Sequence, residues 1–341
     1  MYQEDIKKDS VYRQNFHQAF RSYLNEEMKK AEVRRNQFMT TENLPQERER
    51  FREEYIRTLG YPLTEYDNIK SETIEVQSTF MTSTEGISIY RMVITAYGNL
   101  PLYGILLLPE TDGKKPFVVC LHGKEGTPEL VTSIYENSGN YNHMAFRYAR
   151  RGCAVFCPQL YLWNSDIYGV PYDRDRLDAS MRQLGGSMSA LEVLLLKRVY
   201  DYFETRTYVD SDKMYVSGLS YGGMFAMLFG AAETRVKGVY SSCYFNDRYE
   251  NGWTDMCYKG AANTFFDAEI CALISPRKLF ISVADEDPVF GIETAKREFE
   301  RLKPFYIASG AMENLQLEVF HGLHEFSLHD VGIEFLLEDK R

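Results

Sequence analysis

The pentapeptide Gly218-Leu219-Ser220-Tyr221-Gly222 has the spacing G-x-S-x-G. A serine hydroxyl is a poor nucleophile until a base takes its proton and an acid orients that base. The pentapeptide can present such a serine. Small residues at 218 and 222 let a strand and the helix after it approach closely, and the sharp turn between them lifts the hydroxyl above a sheet edge. The flanks agree with this reading. Lys213-Met214-Tyr215-Val216-Ser217 reads as a strand, and Gly223 with Met224-Phe225-Ala226-Met227-Leu228 as the start of a helix. Amides at that helix start would lie where negative charge develops.

The partners should follow Ser220 in the order acid, then histidine. Only His321, His324 and His329 lie after it. His324, in the loop Gly322-Leu323-His324-Glu325-Phe326, is selected as the base, with His321 as the alternative. His329 is expected within the final helix, partly exposed. The acid should follow the apolar run Leu279–Val283, where the chain reads Ala284-Asp285-Glu286-Asp287-Pro288. Asp287 is selected, Asp285 stands second, and Asp247 is a more distant candidate. An oxyanion hole needs two preorganised donors. The amide of Tyr221 would supply one. The loop His122-Gly123-Lys124-Glu125-Gly126 would supply the other, through Lys124 or else Gly123. His122 is read as a structural hydrogen-bonding group, and the Lys124 and Glu125 side chains as facing water.

These residues need a scaffold, and the pattern provides one. Ile87–Ile94 and Tyr103–Leu108 read as an antiparallel pair. Strand candidates then alternate with helical stretches: Phe117–Leu121, Ala154–Cys157, Met214–Ser217, Val236–Ser241, Leu279–Val283 and Leu315–Phe320, with helices near 141–151, 187–205, 222–232, 292–307 and 325–338. This alternation predicts an α/β domain over 71–341, a mostly parallel mixed sheet covered on both faces. Residues 1–70 are charged and poor in glycine. Phe16, Phe20, Tyr23, Leu24 and Met28 recur there at helical spacing, and Pro45 and Gly60 bracket a second helix. They are expected to form a helical extension that packs on the main domain or on a second subunit, making a homo-oligomer. The segments 161–186, with Trp163, Tyr168 and Tyr172, and 249–266, with Trp253, are candidates to wall the pocket.

Composition narrows the partners. The chain has 341 residues and a formal net charge of -10, so its field repels phosphate backbones and anionic membranes. Nucleic acid and membrane are therefore not expected as partners; a small-molecule ester is. The six cysteines sit mostly in apolar runs, which argues for buried thiols rather than a disulfide framework. With no apolar leader at the N-terminus, a cytoplasmic location is expected. Metal and nucleotide signals fail on spacing. His324-Glu325 with His329 gives H-E-x-x-x-H rather than H-E-x-x-H, Asp173, Asp175 and Asp178 lack the rest of a calcium loop, and no phosphate-binding glycine motif occurs. No cofactor is expected.

The order His122-Gly123, Gly218–Gly223, Ala284-x-x-Asp287 and Gly322-Leu323-His324 resembles the α/β-hydrolase superfamily, over roughly residues 75–338. The likeness is to dienelactone-hydrolase-like and acetyl-xylan-esterase-like bacterial proteins. Their acid sits in G-x-x-D and their base in G-G-H, which implies Asp287 and His324; Ala284 and Leu323 depart from those patterns. The resemblance implies a serine esterase, with acetyl esters of carbohydrates among its expected substrates. A peptidase related to prolyl oligopeptidases is the second reading, but 1–70 is too short to supply a propeller. A non-catalytic binding protein is the third, and a complete serine, histidine and aspartate set argues against it.

Overall fold

A computed structural model describes residues 1–135, 138–250 and 252–338. Among them, nine strands form one sheet in the order β1-β2-β3-β5-β4-β6-β7-β8-β9. The strands are β1 Glu75–Thr84, β2 Ile87–Tyr97, β3 Leu100–Pro109, β4 Lys115–Leu121, β5 Ala154–Pro158, β6 Val209–Leu219, β7 Gly238–Ser242, β8 Lys278–Ala284 and β9 Leu315–Phe320. The first three and the β3–β5 junction are antiparallel; the rest are parallel. This is the mixed α/β sheet that the alternation predicts. Its parallel strands are apolar throughout because both faces are covered, as in Phe117–Leu121, where every residue is buried.

The longer helices are α1 Ser10–Phe38, α2 Leu44–Leu59, α3 Met144–Ala149, α4 Arg174–Gln183, α5 Met188–Glu204, α6 Tyr221–Ala232, α7 Asp267–Ala272, α8 Ile292–Ala308 and α9 Val331–Leu337. They cover the sheet in two layers. Phe51, Tyr55, Val193, Tyr200, Phe225 and Phe299 pack in one, with α2, α5, α6 and α8. Tyr148, Phe326 and Leu336 pack in the other, with α3 and α9.

Three expectations change. The strand β1 does not appear in the alternation pattern, since it is an edge strand whose residues are mostly exposed and leave no apolar period. The final helix starts at Val331 rather than near 325, so His329 precedes it and bonds Glu318 through Nδ1 at 2.8 Å. In α1, only Ala31 and Arg35 are buried. Tyr12, Phe16, Phe20 and Tyr23 share a face that none of the described residues of this chain covers.

The sheet order creates the place for a site. After β4 the chain crosses to β5 on one side; β6 lies on the other. Loops leaving the carboxyl ends of β4 and β6 therefore diverge, and ligands of open α/β sheets bind in that crevice.

Candidate active site

Ser220 stands at this crevice, directly after β6 and before α6. Its φ of 59° and ψ of -125° lie outside the ordinary regions for a residue with a side chain. The surroundings hold it there. Its amide donates to the Ser242 carbonyl at the end of β7 at 2.9 Å, and its carbonyl accepts from the Met224 amide at 3.0 Å. Gly218 lies directly against the Gly222 backbone, and Gly222 against the Leu121 carbonyl, so a Cβ at either position would collide with main chain. The strained turn is thus over-determined by close packing.

His324 and Asp287 meet on the loops after β9 and β8. Nδ1 of His324 lies 2.8 Å from Oδ2 of Asp287. A carboxylate only accepts, so Nδ1 carries the proton and Nε2 is left as the basic nitrogen. Oδ1 of Asp287 accepts from the amides of Val289 at 2.7 Å and Phe290 at 3.1 Å. Burial opposes the charge on Asp287, yet the bond to His324 and these amides outweigh it and hold the carboxyl below the usual range. The Asp287 side chain is 1% exposed and that of His324 is 20%.

The alternatives are placed differently. His321 pairs with Asp285 at 3.2 Å, but its side chain is 80% exposed. Asp247 pairs with Arg297 on α8. His122 is fully buried; Nδ1 donates to the Gly123 carbonyl at 2.8 Å and Nε2 accepts the Leu160 amide at 2.8 Å. Burial pulls it down to about 4, so it stays neutral and fixes the loop.

That loop brings Gly123 against the serine. A Cβ on Gly123 would lie 2.9 Å from the Ser220 Cβ. The Gly123 amide is committed to the Tyr141 hydroxyl at 2.9 Å. Among the described residues the amides of Lys124 and Tyr221 have no acceptor. The Lys124 side chain faces solvent. Glu125 is exposed as well, but it accepts a bond from Asn164 at 3.1 Å, a contact not foreseen.

Among the described residues, Cys243, Asp287 and His324 bring three potential metal-ligand atoms within 4.8 Å of one another. Both Asp287 oxygens are already engaged, and burial pushes the Cys243 thiol up to about 12, which leaves it a poor ligand.

Sequence reasoning missed what ties the segments 161–186 and 249–266 together. Arg174, on α4 within 161–186, is buried. Its Nε meets Asp255 Oδ2 at 2.6 Å, its Nη2 meets Glu192 Oε2 at 2.8 Å, and its Nη1 donates to the Tyr161 carbonyl at 3.1 Å. Asp255 lies within 249–266, of which residue 251 is outside the described residues, and it also accepts from the Tyr221 hydroxyl at 3.1 Å. Burial and the Asp255 carboxylate push the Tyr221 hydroxyl far up, so it stays a donor. The Tyr221 ring stacks on Trp253 at 5.6 Å, Trp253 meets Phe290 edge-on at 6.0 Å, and Phe290 lies 5.7 Å from the His324 ring. A continuous aromatic wall runs from the residue after the serine to the histidine. Trp253 is its exposed member, at 43%.

Comparison with known proteins agrees with this architecture. Residues 103–322 match the profile of the dienelactone hydrolase family. A search of curated proteins by sequence returns no match. Among solved structures, a proposed acetyl xylan esterase from Bacteroides fragilis NCTC 9343 is similar with a TM-score of 0.66 at 14% identity, over 83% of this chain and 76% of that one. A methylesterase gives 0.65 at 17% identity, over 89% of this chain and 65% of the other. A glucuronoyl esterase from Solibacter usitatus gives 0.59 at 13% identity, over 77% and 85%. At these identities the structural likeness speaks for the fold. The family match spans most of the chain, from β3 to the loop that carries His324, and the chain belongs to the dienelactone hydrolase family of α/β-hydrolases, as a serine hydrolase of carboxylic esters.

Proposed function

We propose that the chain cleaves a small carboxylic ester through an acyl-enzyme on Ser220. The observation that carries this is the part-buried Asp287–His324 bond of 2.8 Å, together with a serine held at φ 59° in the turn between β6 and α6. His324 Nε2 takes the Ser220 proton as the oxygen attacks the ester carbonyl. The free amides of Lys124 and Tyr221 receive the tetrahedral oxyanion, a contribution on the order of 3–4 kcal/mol per donor in comparable sites. His324 then gives its proton to the leaving alcohol. Water, deprotonated by His324, attacks the acyl carbonyl and frees the acid and the serine. Asp287 fixes the tautomer and steadies the imidazolium.

The alcohol part is proposed to be a carbohydrate, bearing an acetyl or comparably small acyl group. The exposed Trp253 ring offers an apolar face next to the site, and the similar structures are described as esterases, one of them for acetyl xylan. Labelling with a fluorophosphonate probe tests the mechanism. Wild type should label and Ser220→Ala should not; equal labelling would refute the nucleophile. Release of acetate from acetylated xylo-oligosaccharides, set beside nitrophenyl acetate and peptide amides, tests the substrate class. Faster turnover of the peptides would overturn it.

A further inference from the structure

Among the described residues, none packs on the first half of α1. Isolated helices of this length are marginal in water, and in proteins most of their stability comes from packing an apolar face. Here the apolar face exists. Tyr12, Phe16, Phe20 and Tyr23 fall within roughly 80° of arc at 3.6 residues per turn. Their rings form a ladder, Phe16 stacked on Phe20 at 6.2 Å and Phe20 on Tyr23 at 6.4 Å. All four are at least half exposed. Toward its C-terminus the stripe drifts around the helix, by about 70°, into Ala31, Arg35 and Phe38, which pack on the body. There Arg35 meets Glu269 at 3.3 Å and the Ala262 carbonyl at 2.7 Å, and Phe38 packs edge-on to Phe51 and Phe265. One stripe therefore serves as an intramolecular contact at its C-terminal end and runs on, uncovered, toward its N-terminus.

We propose that a second copy of this chain covers it, with the two α1 helices antiparallel about a two-fold axis between His17 and Gln18. An isologous contact of this kind closes on itself and gives a dimer rather than a filament. The register is self-complementary: Tyr12 of each copy faces Tyr23 of the other, and Phe16 faces Ala19 with Phe20 beside it. Lys7 and Lys8 of each copy come near Glu26 and Glu27 of the other. In this chain those acids pair only with Lys29 and Lys30 across the surface, contacts weak enough to exchange. The four rings would remove about 500 Å² per copy from water, taking about 200 Å² for each ring and its present exposure. With both copies this approaches the ~1,000 Å² that a specific interface needs before its polar rim is counted.

Light scattering on the full-length chain, from about 1 to 100 μM, tests this, with the double variant Phe16→Glu/Tyr23→Glu and the control Val33→Glu. Val33 is exposed on the same helix, about 95° around from the middle of the ring stripe. Wild type and Val33→Glu should run at twice the chain mass, and the double variant at the chain mass with unchanged hydrolysis of nitrophenyl acetate. Lys7→Glu/Lys8→Glu should weaken the dimer at least tenfold, and adding Glu26→Lys/Glu27→Lys should restore it. A monomeric wild type, or a double variant that stays dimeric, would overturn the proposal. So would charge reversals that leave the dissociation constant unmoved. Sedimentation of monomeric wild type with phosphatidylcholine–phosphatidylserine vesicles would reassign the stripe to a membrane surface.

Discussion

Two histidine–carboxylate pairs stand within a few residues of each other at the carboxyl ends of β8 and β9. His324–Asp287 and His321–Asp285 use the same residue types, join the same two loops and bond through the same ring nitrogen. They differ in their surroundings. The inner carboxylate is buried and accepts two backbone amides in addition to its histidine; the outer one is exposed and accepts one, from Gly322 at 3.1 Å, with its histidine at 3.2 Å. A pair in solvent is screened and worth little, whereas a desolvated carboxylate holds one tautomer and one ring orientation. Residue type puts both pairs forward, and burial separates them.

The sharpest way to break this comparison is to remove each partner in turn. Asp287→Asn and His324→Ala should each lower kcat by on the order of 10⁴-fold on nitrophenyl acetate, while the protein remains folded by circular dichroism. Should Asp285→Asn produce the larger loss, the outer pair is the working one.

A second test turns the inner pair into something like the outer one. Phe290 is buried between Trp253 and His324. Phe290→Ala should let water reach the Asp287–His324 bond, destabilise the fold by about 3 kcal/mol in urea titration and lower kcat by roughly 10-fold or more. Unchanged kcat would mean that desolvation is not what distinguishes the pairs.

Acidification gives a smaller effect with a definite sign. The Asp287 carboxyl titrates below its ordinary value in the folded chain. Its stabilisation is therefore fully present above the unfolded pKa, near 4, and is lost as pH falls through the lower folded value. The stability gap between wild type and Asp287→Asn, measured by denaturant titration, should be constant from pH 7 to 5 and close below about pH 4. A gap that widens on acidification would contradict the assignment. Smallest of all, His321→Ala should change kcat/KM less than about twofold, because its partner is solvated.

Ser220 was legible because the turn that presents it requires small residues at fixed offsets, and a strand and a helix frame it. His324 and Asp287 were legible as candidates by their place after the last two strands. The sequence also favours them over His321 and Asp285, but the physical ground of the difference, exposure, is not carried by neighbouring letters in a loop. The Arg174, Glu192 and Asp255 cluster was invisible, since its members lie 18 and 81 residues from the arginine and become neighbours only when the sheet forms. In α1 the period showed that the rings share a side, but a period does not say what that side meets. The strand β1 has no buried side and so left no period at all.

The guanidinium of Arg174 holds 161–186 and 249–266 on one set of bonds, and through Asp255 it reaches Tyr221. Lifting 161–186 alone would strand the buried carboxylates of Glu192 and Asp255, at a cost of about 3–5 kcal/mol, whereas 249–266 could lift and leave Arg174 its pair with Glu192. The two segments are thus fastened unequally: 161–186 is the fixed post, and 249–266 is hinged to it through the Asp255 carboxylate.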